Sequence, residues 1–277
     1  LPIFAIPWET FKAWKGDRCH GLGGALAFFG LLATPSFFVL VFLLVEKTQG
    51  AETLQIQVIP FLGHWLNPKW AELIRYLVVE VENFKPQASP VTISALLLTV
   101  LGIGGFSTQL RNSIRTIWGR RVSEVSPREF AREKFLSLVL PLIIAAMVVV
   151  GLYFRILARN IMGVSKIIEL IGTILHWGIL NAILYKILTP VKLSWKQILP
   201  GAFLTSFMMA IGRYVVDRYL LSKDVTTTTG LVGDTFAFLL MIYFFAQVFL
   251  VGAELMRVLV LRSIRGQSLE SATKRAA

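Results

Sequence analysis

A chain of 277 residues that is 55% hydrophobic and only 16% charged, with a mean hydropathy of +0.68, lies outside the range of soluble globular proteins. Its net charge of +12 sits between long apolar runs, the layout of the positive-inside bias, which argues against a nucleic-acid partner. A single cysteine, Cys19, excludes an intramolecular disulfide and a cysteine-based metal site.

The first element predicted is an amphipathic helix within residues 1–21, with Trp8, Phe11 and Trp14 at helical spacing beside Lys12 and Lys15. That pattern suits a helix lying at the membrane interface. The chain starts at Leu1 rather than methionine, so residues are expected to precede it. Leu22 to Val45 reads as the first span and not a signal peptide, since no small-residue cleavage site follows it. Pro35 removes a backbone hydrogen bond within it and predicts a kink near Leu31. Gly23 and Ala27 would let a neighbouring helix approach closely.

Glu46 to Ala88 reads as a long outer loop. Within it Asn67-Pro68 starts a second amphipathic helix, whose apolar stripe runs through Trp70, Leu73, Ile74, Leu77, Val78 and Val81. The stripe suits either a lid over the bundle or a helix lying on the surface. Ser89-Pro90 then opens the second span. Val91 to Leu110 is uncharged, and about twenty helical residues cover the ~30 Å hydrocarbon layer. A basic loop follows with Arg111, Arg115, Arg120 and Arg121, marking the cytoplasmic side. Ser126-Pro127-Arg128-Glu129 is a capping box leading into the third span, Phe135 to Phe154. Ile167 to Leu188, Ile198 to about Leu220 and Leu231 to Ala253 are the fourth, fifth and sixth spans, with a basic tail over 261–277.

The expected architecture is therefore all-α, a polytopic membrane protein of six transmembrane helices with additional amphipathic interfacial helices. Most of the 28 lysines and arginines fall in segments this topology places inside, so both termini are expected in the cytoplasm.

Spans four and five carry the polar residues. Ionisable groups at a span centre cost about 2.5–3.5 kcal/mol on insertion scales and so turn toward protein or water. Ala202, Ser206, Ala210, Arg213 and Asp217 share one face of span five; Glu169, Thr173 and His176 share one face of span four. The reading predicts a network of Glu169, Arg213 and Asp217, with His176 deeper on the same seam. It serves either as helix–helix glue or as a site for an anionic small molecule or lipid headgroup. In span six Tyr243, Gln247 and Glu254 share a face; Gln247 joins the candidate site list, although packing accounts for both it and Glu254. Gly21 to Gly24 and Gly102 to Gly105 read as close helix packing rather than nucleotide loops. No metal-ligand spacing, phosphate loop, nucleophile elbow or acidic pair for phosphodiester chemistry is present, so no enzyme, metal or cofactor is expected.

Three stretches resemble the YihY / virulence factor BrkB family, once mislabelled ribonuclease BN. They are Ala25 to Leu32, Phe106 to Gly119 (FSTQLRNSIRTIWG), and Gly230 to Glu254, opened by Gly230-Leu231-Val232-Gly233 and closed by Gly252-Ala253-Glu254-Leu255. Phe28-Phe29 and Thr34 depart from the usual pattern. The resemblance implies a six-span inner-membrane protein with both ends cytoplasmic, for which transport of lipids or other envelope molecules is the usual proposal. It hands over no catalytic residues. The readings carried forward are a transporter-like or lipid-handling bundle and, as the alternative, a complex-forming membrane subunit without cargo. Membrane lipids are the expected partners, and self-association is left open.

Overall fold

The computed structural model describes residues 5–50, 90–119, 135, 137, 139–153, 166–219 and 223–276. Side chains at 39, 43, 46, 49, 90–101, 166–169, 213, 215–219, 223–235, 237 and 265–276 lie outside that description. So do the predicted helix over 67–81 and the capping box at 126–129, with Arg120 and Arg121.

Among the described residues there are seven helices and no strand. They are α1 (Ala5–Gly16), α2 (Cys19–Gln49), α3 (Pro90–Ile117), α4 (Val139–Tyr153), α5 (Lys166–Leu188), α6 (Trp195–Tyr219) and α7 (Lys223–Ala276). Three stretches among the described residues are long and apolar enough to cross a membrane: Cys19–Phe42 of α2, Leu170–Leu188 of α5 and Phe238–Ile264 of α7. The shorter α4 is also apolar. Proline at the first position of α3 costs nothing, since that N–H has no helical partner. Pro35 is accommodated inside α2, which continues to Gln49. α6 begins at a capping box in which Gln197 Oε1 accepts from the Ser194 N–H at 2.9 Å.

Two apolar clusters define the ends of the bundle. One gathers Cys19 and Leu26 of α2, Ile114 and Ile117 of α3, Leu140 of α4, Tyr185 and Leu188 of α5, Ile198 of α6, and Leu250 and Met256 of α7. The other joins Val41, Phe42 and Val45 of α2 to Ala145 and Val149 of α4 and Phe238 of α7. Reading each helix between its ends, α2 leaves the first cluster, α3 returns to it, α4 leaves, α5 returns, α6 leaves and α7 returns. Both described chain ends therefore belong to the same end of the bundle.

Glycine sets the closest approaches. A Cβ on Gly102 would lie 2.7 Å from the carbonyl carbon and oxygen of Leu32, so α3 rides directly on the α2 backbone. A Cβ on Gly201 would lie 2.6 Å from the Gly252 carbonyl oxygen, which binds α6 equally tightly to α7. The predicted packing role thus holds for Gly102, Gly105 and Gly23; Gly21, Gly24 and Gly104 face open space. Outward rows of Ile171, Leu175 and Ile179 on α5 and Phe203, Phe207 and Ile211 on α6 stay exposed at four-residue spacing. In water such rows would be buried; in hydrocarbon they need no cover.

One boundary differs from the expectation. Arg111 and Arg115 are not loop residues: α3 runs on to Ile117 and carries both in its last two turns. Arg111 is buried, and its guanidinium donates to the hydroxyl of Ser137, tying α3 to the start of α4. The RNSIRTI run continues the apolar period through Leu110, Ile114 and Ile117, and that stripe outweighs the charges in setting the helix end.

Candidate functional site

The densest polar grouping among the described side chains lies where α1 and the start of α2 meet the middle of α7. α1 ends at Gly16, and Asp17-Arg18 turns the chain into α2, with Arg18 in the left-handed region at φ 53°. This sharp return lays α1 along α7, so that Trp14, Asp17 and Cys19 all reach one side of it. Gln247 clamps the turn. Its Oε1 accepts from Trp14 Nε1 at 3.0 Å, and its Nε2 donates to the carbonyls of Cys19 and His20, each at 3.3 Å. Gly23 makes this reach possible, because a Cβ there would overlap the Gln247 amide.

Two turns further along α7, Glu254 is fully buried. Its Oε1 accepts from the Cys19 thiol at 3.6 Å. Its Oε2 lies 3.5 Å from the Arg257 guanidinium, at ion-pair range but without a hydrogen bond. Arg257 instead directs its hydrogen bond to the Asp17 carboxylate, and the Asp17 and Glu254 carboxyl groups approach the same guanidinium nitrogen, Nη1. One guanidinium thus serves two carboxyl groups. Beyond them the Arg262 guanidinium grips Glu9 of α1 in a bidentate pair, Nε to Oε2 at 2.8 Å and Nη2 to Oε1 at 2.7 Å. A stacked ladder runs along α1 from the exposed Trp8 to the half-buried Trp14, Trp8 on Phe11 at 6.0 Å and Phe11 on Trp14 at 5.8 Å, with Lys12 above the Trp8 ring. Trp8 and Phe11 remain exposed. α1 therefore presents aromatic rings and lysines outward and ion pairs inward.

The seam between α5, α6 and α7 is of another kind. The Tyr185 hydroxyl pairs with Thr205 Oγ1 at 2.7 Å and donates to the Phe249 carbonyl at 2.6 Å. Asn181 donates to Ser206 Oγ at 3.3 Å, and Ser206 and Thr205 each bond back to their own helix. With Gly201 against Gly252, the described part of this seam is packed solid.

The predicted site residues separate accordingly. Ser206 and Ala202 do face α5, as expected for that side of α6. His176 does not join them: its ring packs on Gly151, so it faces α4. At about 100° per residue, position 169 lies in line with His176 on α5, roughly 120° round the helix from Asn181. The side chains of Glu169, Arg213 and Asp217 lie outside the description. Gln247 belongs to the α1 junction. Glu254, Asp17 and Arg257 were absent from the predicted site. Only the face shared by Gln247 and Glu254 pointed to them, because their partners lie more than 200 residues away in the chain.

The family profile described as Virulence factor BrkB matches residues 10–277. No curated protein and no solved structure matches the chain.

Proposed function

This chain belongs to the virulence factor BrkB family, and from that premise we propose that it is a six-span protein of the bacterial inner membrane that moves lipids or other envelope molecules and has no catalytic centre of its own. The alternating course of α2 to α7, the exposed apolar rows on α5 and α6, and the concentration of basic residues at the α1 end support six crossings with both termini cytoplasmic. In this reading α1 lies at the cytoplasmic surface, its aromatic ladder and lysines among lipid headgroups.

The observation that carries the proposal is the chemistry of the α1–α7 joint. It ties α1 to one end of the bundle with ion pairs and hydrogen bonds between side chains, most of them partly exposed. Water can replace such contacts at a small net cost, on the order of 1 kcal/mol each, so the joint can open and reclose. The solid seam cannot. Cargo therefore passes beside α1 and α7, and Arg213 and Asp217 provide an anion-recognising position toward the opposite end.

The test is flux of a fluorescent phospholipid and of small organic anions in vesicles carrying the purified full chain. Expected are flux by the wild type, altered rates for Asp17→Asn and Arg257→Gln, and loss of flux with folding retained for Arg213→Gln. Wild-type flux no greater than that of empty vesicles would remove the proposal. It would leave the second reading, a complex-forming subunit, which the solid packing of the α5–α6–α7 seam favours.

A further inference from the structure

Glu254 is out of place in a joint of ordinary ion pairs. The Glu9–Arg262 pair shows what such a pair looks like here: two oxygens, two donors, both bonds formed, one partner well exposed. Glu254 is fully buried, and only its Oε1 has a hydrogen-bonding partner, the weakly donating Cys19 thiol. Oε2 has none. The nearest cation, Arg257, spends its hydrogen bond on Asp17. A buried carboxylate with an unsatisfied oxygen, sharing one guanidinium nitrogen with a second carboxylate, is an expensive arrangement. An undissociated carboxyl group there is not: as a donor it satisfies its neighbour instead of repelling it.

We infer that the Asp17–Glu254 pair is a proton-binding site, and that the shared proton holds α1 docked against α7. Bound, it bridges the two carboxyl groups across the joint between the α1–α2 turn and α7. When it leaves to bulk water, two carboxylates face a single guanidinium, and Asp17 moves away with the turn that carries it. Among the described side chains the groups that contact the pair are the Cys19 thiol from α2 and Arg257 from α7 itself. Arg18 and His20 are exposed, and the Tyr185 hydroxyl is engaged with Thr205 and Phe249. The inference does not depend on what the bundle carries, or on whether it carries anything.

The geometry supplies its own reporter. Cys19 is the only cysteine in the chain; it is buried and touches Glu254. Infrared spectra of the full chain in lipid nanodiscs, titrated from neutral to alkaline pH, should show the carbonyl stretch of an undissociated carboxylic acid at neutral pH and its loss on titration. Glu254→Gln should lack this band. Asp17→Asn should lack it too, because Arg257 is then left to Glu254 alone, whereas Glu9→Gln should keep it. In parallel, Cys19 alkylation by a maleimide is normalised at each pH to the unfolded chain. It should rise by up to about tenfold per pH unit while the band persists, the slope that release of one proton on opening dictates, and level off once the band has disappeared. In Glu254→Gln the normalised rate should stay flat. A band that survives in both Glu254→Gln and Asp17→Asn, or a normalised Cys19 rate in the wild type that does not change with pH, would overturn the inference. Should one variant fail to fold, the other and the wild-type titration still decide it, and none of these readouts involves flux.

Discussion

Gly252→Ala puts the packing of α5, α6 and α7 to a quantitative test. A Cβ at position 252 would overlap Thr205 Oγ1 and the Tyr185 hydroxyl and would lie 3.0 Å from the Gly201 carbonyl oxygen. None of these can yield alone, because the hydroxyls bond each other at 2.7 Å and Tyr185 also bonds the Phe249 carbonyl at 2.6 Å. Making room means parting α6 from α7 or rotating Tyr185 away from both partners. Losing two interhelical hydrogen bonds in a membrane bundle costs about 0.6–1.7 kcal/mol each. Overpacking adds about 1–3 kcal/mol, so the total is on the order of 2–6 kcal/mol. Reversible unfolding in mixed micelles by titrated denaturing detergent reads this directly. Tyr185→Phe should cost only the hydrogen bonds. Adding it to Gly252→Ala should cost less than the sum of the two, because the hydroxyl it removes is one of the groups the new methyl strikes; a coupling of about 1 kcal/mol or more is expected. A Gly252→Ala protein within about 0.5 kcal/mol of wild type, or strict additivity in the double variant, would refute the reasoning.

Two further substitutions probe the α1 junction. Gly23→Ala places a methyl in the space of the Gln247 amide, so Trp14 should lose its partner and its fluorescence should shift toward that of a solvent-exposed indole; an unchanged spectrum would mean that Gln247 is not held by Gly23. Arg18→Gly relieves a left-handed backbone at a residue with a Cβ, and should raise the unfolding free energy by up to about 1 kcal/mol, against a loss if the Arg18 side chain contributes more than its backbone costs.

Hydrophobic length and charge layout made the membrane character, three long apolar helices and the helix start at Pro90 legible in the sequence, because each depends on a contiguous stretch. The roles of Gly102 and Gly105 were legible for the same reason, since small residues at a packing face have few other uses in a bundle. The end of the second span was not, because the arginines that suggested a loop follow the apolar period of α3, and burial of Leu110, Ile114 and Ile117 carries Arg111 inward. Helical-wheel reasoning grouped Glu169 with His176 on one face. It had no means of telling which helix that face meets, and the ring of His176 turned out to lie on Gly151 of α4. The Asp17–Glu254–Arg257 cluster was hidden because it forms only when the α1–α2 turn folds back on α7. The resemblance to a known family did point to Gly252-Ala253-Glu254, and those residues divide between the Gly201 contact and the α1 junction.

The measurement that bears most directly on the proposed gating is flux with α1 fixed to α7. In a Cys19→Ser background, cysteines replacing Glu9 and Arg262, which form a bidentate pair across the joint, are joined by a short bis-maleimide. Linked protein should carry no phospholipid or anion, while the unlinked double variant carries both. Equal flux before and after linking would contradict the claim that this joint opens.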